Sequence, residues 1–466
     1  NAGNITTASG AAKVIAGSFE NGTDSSVGGI YNCYWDQETS GAGSVAGGSR
    51  VRLKDNQSYS TSDMKSLAMA SRMNQASGVP LWQYAADKNL GYPSFGTMTV
   101  ESWEDVGIKA TAPLPKNTSS MGTAGTSSNP YQIETPSELA WFAWEAGSAK
   151  EKTGLCAELL ADIELFGEVY TGNSYDPGDA DILLKALVWK PIGREHEDYR
   201  YSGTFRGNNH TISYMYADRD GAAGLFGSLG TGAVIENVKL SDSLIKADGN
   251  GRYTGGIAGS ILGADVTIRE CENKGKLSSS GAYVGGMAGY IAGTDAKIAG
   301  CWNSGTIEST AGNDVGGIAG AIAADTIIDG CYNLAGSAVD GTTGSNTGGI
   351  LGRAITGTLT LRNSYNQGTV SGGANVGGIA GILSLPTQAV TGCYNAGAVT
   401  GASNVGAVVG ISTSSDSVTY CFYDKEKSQP TVDTYAKGME TDKFATWGAA
   451  FGLNGERLVQ TSSSYV

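Results

Sequence analysis

The sequence predicts an all-β chain folded as a right-handed parallel β-helix with a short capping helix, and three repeated features predict it. A glycine-rich phrase returns about every thirty residues, which is the length of one solenoid coil. A second phrase, I-x-x-C-x-N, is interleaved with it, and a short glycine-then-aliphatic segment follows each asparagine. Each coil therefore holds three short apolar strands, which bury their inner faces only by stacking on neighbouring coils.

The glycine-rich phrase reads G-G-I-A-G or a close variant of it. Its copies begin at Gly255, Gly285, Gly316, Gly348, Gly377 and Gly406, with an opening variant, A-G-L-F-G, at Ala223. Helix is a poor alternative for these segments, because an interior glycine costs nearly 1 kcal/mol relative to alanine. We expect in-register parallel pairing between coils at about 4.8 Å per coil.

The composition narrows the classes of protein and of partner. Glycine supplies 70 of the 466 residues and proline 10, without the strict triplet of collagen. The formal net charge of −14 argues against nucleic acid or an anionic membrane as the main partner, because both repel an acidic surface. No apolar run has the length that spans a bilayer. We therefore expect no nucleic acid partner and no direct membrane insertion of this segment.

Five cysteines occupy the same place in successive coils. They are Cys271, Cys301, Cys331, Cys393 and Cys421. Valine and serine take the equivalent place at Val238 and Ser364, which predicts small, inward, free thiols. Stacked Cβ atoms about 4.8 Å apart exceed the usual ~3.8 Å of a disulfide, and a straight row of thiols does not surround a zinc ion. The residue before each cysteine is mostly glycine, which suggests a β-bulge.

An asparagine follows two residues after the cysteine place. The members of this row are Asn273, Asn303, Asn333, Asn366 and Asn395. Asparagine tolerates the left-handed backbone conformation of a sharp corner, and stacked asparagine side chains can bond to one another along a solenoid. We therefore predict a structural row of asparagines at a left-handed corner.

The residue between cysteine and asparagine must point outward, and it is usually aromatic. The proposed ligand-contact residues of this aromatic stripe are Trp302, Tyr332, Tyr365 and Tyr394. Phe422 continues the stripe, and Glu272 is the exception. The rings either stack on one another to cover apolar surface, or form a platform for ligands such as sugar rings.

The chain divides into four predicted segments. Residues 1–97 are the closing coil and C-terminal cap of a preceding, truncated module, since Asn32 to Asp36 match Tyr420 to Asp424. Residues 98–130, rich in Thr, Ser, Gly and Pro, form a connector. Residues 131–430 are a β-helix module with irregular lead-in coils, and residues 431–466 are its C-terminal cap. Thr135-Pro136-Ser137-Glu138 is a capping box that predicts a capping helix at about 135–146.

The recurring G-G-I-A-G with C-Y-N-x-G resembles the GLUG-motif repeats of bacterial surface proteins, over most of residues 131–430 and the coil at 1–45. The resemblance implies a secreted or wall-attached, adhesin-like protein at the bacterial surface. Such repeats also accompany peptidases of the immunoglobulin-A-cleaving type. The metal-binding motif of those peptidases is not found in this sequence, so no catalytic residue is carried over.

The favoured function is a non-enzymatic extracellular display or adhesion module, or a stalk. Its partners would be host or bacterial surface glycans or proteins, together with neighbouring modules of the same longer chain. The alternative is a carbohydrate-active β-helix enzyme, a polysaccharide lyase or glycoside hydrolase, because fold alone does not decide function. No cofactor is expected, apart from a weak calcium candidate in the acidic loop of Asp176, Asp179 and Asp181.

Overall fold

A computed structural model describes the body of the chain as a parallel β-helix, the predicted fold. The described residues are 103–110, 112–114, 124–165, 188–218, 221–247, 253–310, 312–384, 387–429, 433–444 and 453, with short strands near both ends. Each strand of one coil pairs in parallel with the equivalent strand of the next coil, so that the coils stack in register along one axis.

The first face is a ten-stranded sheet that carries the isoleucine of the I-x-x-C-x-N phrase. Ile235, Ile268, Ile298 and Ile328 are register partners and are fully buried. The strands are Tyr131–Ile133, Ala157–Leu159, Thr204–Arg206, Val234–Glu236, Thr267–Arg269, Ala296–Ala299, Thr326–Asp329, Leu359–Arg362, Gln388–Thr391 and Val418–Thr419.

The second face is a seven-stranded sheet built from the end of the glycine-rich phrase. Its strands are Phe226–Leu229, Ala258–Ile261, Ala288–Ile291, Ala319–Ile322, Leu351–Ala354, Ala380–Leu383 and Val409–Ser412. The first and fourth residues of most of these strands face a core that runs unbroken along the solenoid. Small and β-branched side chains fill it, which suits short, closely stacked strands.

The remaining solenoid strands form the rest of the coil, including the aromatic stripe. They are Ile163–Glu164, Thr211–Ser213, Tyr216–Asp218, Lys239–Ala247, Thr254–Gly255, Glu272–Ser279, Val284–Gly285, Trp302–Asn303, Thr306–Ser309, Val315–Gly316, Tyr332–Asn333, Ala338–Asp340, Ser345–Gly348, Tyr365–Asn366, Thr369–Gly377, Tyr394–Asn395, Val399–Gly406, Phe422–Asp424 and Lys437–Met439.

A left-handed corner joins the first face to the cysteine place, where we predicted a bulge. The residue before each cysteine place has a positive φ, from 52° to 63°. These residues are Asn237, Glu270, Gly300, Gly330, Asn363, Gly392 and Tyr420. The bulge prediction is therefore wrong, because the first-face strand ends just before this residue instead of continuing through it. The sharp turn still sends the isoleucine and the cysteine three residues later into the same core.

The capping helix occupies Pro136–Ala146, at the end of the core near the first strand. Thr135 Oγ1 accepts a hydrogen bond from the Glu138 amide at 3.3 Å, and the Glu138 carboxylate accepts one from the Thr135 amide at 3.0 Å. This is the predicted capping box. Phe142 is fully buried, and its ring lies 5.9 Å from that of Phe205 and 6.1 Å from that of Tyr201. The helix thus covers the open end of the core.

A second helix, Trp103–Lys109, lies inside the predicted connector, where the sequence did not suggest one. Trp103 and Val106 belong to the same buried cluster as Phe142, and the Trp103 amide donates to the Val188 carbonyl at 3.0 Å. A Cβ on Gly107 would collide with the Ala140 carbonyl, so glycine allows the two helices to touch. The helix therefore extends the cap.

The other end of the solenoid is closed by a carboxylate. Asp433 Oδ2 accepts a hydrogen bond from the Val408 amide at 2.8 Å, whereas the equivalent Ile379 amide bonds to the carbonyl of Val408 in the next coil. A short helix, Thr441–Phe444, follows. Single 3-10 turns lie at Lys150–Lys152, Glu197–Tyr199 and Ser415–Ser417.

Short strands are described near both termini. Gly29–Tyr31 pairs in parallel with Arg52–Lys54, and Tyr34–Asp36 with Gln57–Tyr59. Antiparallel pairs join Trp82–Gln83 to Ser94–Phe95 and Gln460–Thr461 to Ser464–Tyr465. Parallel pairing recurs at Phe422–Asp424, which pairs with Lys437–Met439. The division into two tandem modules remains a prediction.

Candidate functional site

The asparagine row is a continuous hydrogen-bonded ladder inside the solenoid. Each Nδ2 donates to Oδ1 of the next asparagine at 2.7 or 2.8 Å, from Asn273 to Asn395, and Asn395 donates to Ser428 Oγ at 2.9 Å. All five asparagines are fully buried. Four of the amides also bond to the backbone of the glycine two residues on, whereas Asn333 Oδ1 accepts a hydrogen bond from Ser337 Oγ at 2.8 Å. The ladder therefore fixes both the coil spacing and the following turn.

The predicted left-handed conformation of these asparagines is wrong, since none of these five described residues has a positive φ. A separate row, which sequence reasoning missed, does occupy left-handed corners. Asn404 donates to Asn375 and Asn375 to Asn346, both at 2.8 Å, and Asn346 donates to the carboxylate of Asp314 at 2.6 Å. Their φ angles lie between 50° and 67°. The preference of asparagine for left-handed turns therefore acts at this corner and not in the buried asparagine ladder.

The cysteine row consists of buried free thiols, as predicted. Cys271, Cys301, Cys331 and Cys393 are free and fully buried. Each Sγ lies near the carbonyl oxygen two residues earlier, at 3.3 to 3.5 Å. Burial raises the pKa of Cys301, Cys331 and Cys393 well above the usual value for cysteine. These three thiols are therefore protonated, with little nucleophilic character, and the row as a whole fills the core.

The aromatic stripe is a stack of nearly parallel rings. The ring centroids of Trp302 and Tyr332 are 5.7 Å apart, and those of Tyr332, Tyr365 and Tyr394 follow at 4.9 Å each, with interplanar angles of 4° to 5°. All four residues are half-buried. Tyr332 and Tyr365 have a neighbouring ring on both faces. Ring edges and phenol hydroxyls, and not ring faces, are therefore what these two present to solvent.

The two ends of the stripe differ. At one end, the Phe444 ring lies 5.7 Å from Tyr394 at an angle of 54°. Burial, and less strongly the neighbouring Tyr365, raises the pKa of Tyr394 to about 12. At the other end, Trp302 has Glu272 as its register partner, and Glu272 accepts a hydrogen bond from Ser304 at 3.0 Å. A sugar ring stacked along the stripe would have to displace an existing ring contact everywhere except at Trp302.

A second aromatic cluster was not anticipated from the sequence. Tyr253 and Tyr290 stack at 4.8 Å with an interplanar angle of 11°, and Tyr283 lies 5.0 Å from Tyr290. Tyr253 and Tyr283 hold the same place in successive coils, whereas Tyr290 lies in a strand of the second face, so repeat alignment did not group the three. The signal that would have found them is tyrosine immediately before the strand that opens the glycine-rich phrase, in two successive coils.

Charged side chains form a ladder at one edge of the first face. Arg206, Glu236 and Arg269 are register partners, with the Glu236 carboxylate 3.0 Å from Arg206 Nε and 2.7 Å from Arg269 Nε. Farther along the same edge, Arg362 Nη2 lies 2.8 Å from Asp329. Opposite charges on adjacent strands stabilise the pairing register.

The cap holds a cavity of about 280 Å³ between the two helices and residues 189–194. Its walls include Trp103, Trp144 and Trp189, and its charged lining residues are Glu104, Lys190 and Arg194. Sequence reasoning did not find this site, because its three walls come from separate parts of the chain. The tryptophans near the capping box were its only sequence signal.

The calcium candidates Asp176, Asp179 and Asp181 lie outside the described residues. Within the described part of the chain, His, Cys, Asp and Glu side chains form no group of three that would hold a metal ion. Every helix in that same part is too short or too polar to cross a membrane.

No protein-family model matches this sequence. Halomucin of Haloquadratum walsbyi is 27% identical over 156 residues, which are 33% of this chain and 2% of that protein. A protein of Evansella cellulosilytica, named as a Gly-rich membrane protein, is 32% identical over 144 residues, which are 30% of this chain and 14% of that protein. The chain therefore spans a small part of the length of both relatives.

Among solved structures, the chain is similar to a Bacteroides ovatus protein whose crystal structure carries the name of an immunoglobulin A1 protease. The TM-score is 0.49 and the sequence identity 20%. The match covers 72% of this chain and 91% of that chain.

Proposed function

We propose that this chain is a non-catalytic, extracellular display module of a bacterial surface protein, of the GLUG-repeat kind. It would hold another domain of the same protein away from the cell, and it would contact surface glycans or proteins. One observation carries the proposal: inward positions repeat in register from coil to coil, as in the ladder from Asn273 to Asn395. Such a chain is a rod whose length grows by about 4.8 Å per coil.

The names of the two relatives support a place at the cell surface, and the acidic surface suits a hydrated rod that repels its neighbours. The tandem arrangement, with a preceding module at 1–97 and a connector at 98–130, belongs to the same proposal. Modules in series would place the outermost one farther from the cell.

Surface location is tested by brief trypsin treatment of intact source cells, followed by mass spectrometry of the released peptides. Peptides of this chain should appear before any peptide of a cytosolic marker enzyme. Their release only after lysis would overturn the extracellular assignment.

Contact with glycans is tested on a glycan array and by pull-down with mucin, using the purified chain. The proposed contact edge of the aromatic stripe consists of Trp302 and of the hydroxyls of Tyr332, Tyr365 and Tyr394. Tyr332→Phe and Tyr365→Phe keep the stack and remove hydroxyls, so they should weaken capture without unfolding the chain. Equal capture by both variants and wild type would remove the stripe from the contact surface.

The absence of catalysis is tested in parallel on pectin, alginate and glycosaminoglycans, with calcium present. The display function predicts no new reducing ends and no unsaturated products. Specific turnover of any one polymer would overturn it in favour of a polysaccharide lyase or glycoside hydrolase.

A further inference from the structure

The cavity in the N-terminal cap combines a guanidinium that lies over a tyrosine ring with a partly exposed indole. Arg194 Nη2 lies 3.6 Å from the Glu104 carboxylate, which is longer than a hydrogen bond. The Arg194 side chain is 57% exposed, and its Cζ lies 5.9 Å from the centre of the Tyr199 ring. The tyrosine therefore positions the guanidinium by a cation–π contact while leaving donors open to the cavity.

Buried contacts hold the walls of the cavity in place. Trp189 is fully buried, and its Nε1 donates to the Leu225 carbonyl at 3.1 Å. Trp103 is 2% exposed and is anchored through its amide to Val188. Trp144 is only half-buried, so it is the tryptophan of the lining that offers apolar surface to an occupant. These walls make a preformed site, since none of them depends on an occupant for its contacts.

The charges of the lining select the sign of an occupant. Lys190 and Arg194 carry two positive charges against the single negative charge of Glu104, in a chain whose net charge is −14. A carboxylate is a planar anion with which the fork of a guanidinium forms two parallel hydrogen bonds. Its attached group must be small enough for about 280 Å³ and must present both a C–H face to Trp144 and hydroxyls to Glu104.

We propose that this cavity binds a carboxylate-bearing monosaccharide unit, of the uronic or sialic acid class. The carboxylate pairs with Arg194 and Lys190, the apolar face of the sugar ring lies against Trp144, and Glu104 accepts a hydrogen bond from a ring hydroxyl. This assignment rests on the proposed glycan-contacting function for the source of the ligand. It adds a site for acidic sugars at the cap to the contact edge proposed along the aromatic stripe.

The test is calorimetric titration of the whole chain with glucuronate, and separately with glucose and with acetate. Glucuronate should bind at least about tenfold more tightly than either, because glucose lacks the charge and acetate lacks the ring. Arg194→Gln should weaken glucuronate binding by at least about tenfold. The matched control is Arg362→Gln, which removes a comparably exposed guanidinium paired with Asp329 on the first face. It should leave the affinity unchanged.

Circular dichroism of both variants checks that they fold. Equal affinity for glucuronate and acetate would reduce the cavity to a general anion site and overturn the inference, as would unchanged glucuronate binding by Arg194→Gln or no binding by wild type. If wild type and Arg194→Gln capture the same acidic glycans on the array, the proposed function stands and this inference fails. If glucuronate binding depends on Arg194 but the chain captures no glycan and no mucin, the inference about the cavity stands. The proposed adhesion role is then overturned.

Discussion

A Cβ atom placed on Gly349 would lie 2.6 Å from Cγ of Asn366, so the second glycine of the glycine-rich phrase packs directly against the asparagine ladder. The same contact recurs between Gly256 and Asn273 and in each coil that has the asparagine. In the closing coil, Tyr423 takes the register place of asparagine, and Ala407 stands where the other copies have the second glycine. The glycine-rich phrase and the I-x-x-C-x-N phrase therefore supply the two sides of one packing contact.

Gly349→Ala should destabilise the solenoid by about 1–3 kcal/mol, because the added methyl would meet the carbonyl oxygen of Gly378 as well as the buried side chain of Asn366. Urea unfolding followed by circular dichroism measures the change. Gly154→Ala is the control, since its Cβ would meet only Ser202 Oγ at 3.9 Å. Adding Asn366→Ala should recover part of the Gly349→Ala loss, as expected for residues in contact. Strictly additive effects would contradict the packing contact.

Asn333→Ala should cost about 1–3 kcal/mol for each buried partner that it leaves without a hydrogen bond. It removes the acceptor of Asn303 and Ser337, both at 2.8 Å, and the donor to Asn366. Gln132→Ala is a control at a partly exposed position, where it deletes one amide hydrogen bond to Glu158 at 3.0 Å. That change should cost less than about 1 kcal/mol. Equal unfolding midpoints for the two variants would show that the ladder does not stabilise the stack.

The buried thiols should resist alkylation while the chain is folded, because their surroundings exclude the reagent. The raised pKa of Cys301, Cys331 and Cys393 also keeps those three thiols protonated. Iodoacetamide at pH 8, followed by peptide mass spectrometry, should leave Cys271, Cys301, Cys331 and Cys393 unmodified. The same treatment in concentrated guanidinium should modify all four. Rapid modification of Cys301 or Cys331 in the native chain would mean that the coils separate locally.

Alkaline pH should destabilise the fold partly through Tyr394. Its pKa is about 12 in the folded chain, whereas an unfolded tyrosine ionises near pH 10. Between these values the unfolded chain has lost a proton that the folded chain keeps, so unfolding becomes more favourable as pH rises. The stabilisation is complete below about pH 10 and is lost as pH passes through about 12.

Thermal unfolding between pH 9 and pH 12 measures this effect. The melting temperature of Tyr394→Phe should fall less steeply with pH than that of wild type. Tyr420→Phe, at a tyrosine that is 50% exposed, is the control and should follow wild type. If the melting temperatures of wild type and Tyr394→Phe fall in parallel as pH rises, groups other than Tyr394 cause the alkaline destabilisation.

The sequence predicted those features that repeat. Ile268, Cys271 and Asn273 could be assigned to the core because their spacing recurs in coil after coil, and their burial is confirmed. Spacing alone did not show how the backbone brings Ile268 and Cys271 to one face, since a bulge and a left-handed corner both do so. The corner at Glu270 was therefore missed.

Features that occur only once could not be predicted from the spacing of repeats. Trp103–Lys109 is too short for a helical pattern, and tertiary packing against the capping helix decides its conformation. The cavity depends on how three distant segments meet, which no local pattern records. For the aromatic stripe, the outward direction followed from alternation, but the 4.9 Å ring spacing that covers the faces of Tyr332 and Tyr365 follows from the coil stacking itself.

The closure of the rod at both ends has a genetic consequence. The helix Pro136–Ala146 covers one end and Asp433 the other, while the coils between them offer their neighbours matching surfaces. Unequal recombination that duplicated or deleted whole coils in frame would therefore leave both closures intact. The length of the rod would then change in whole-coil steps, while the contacts that close its two ends stay the same.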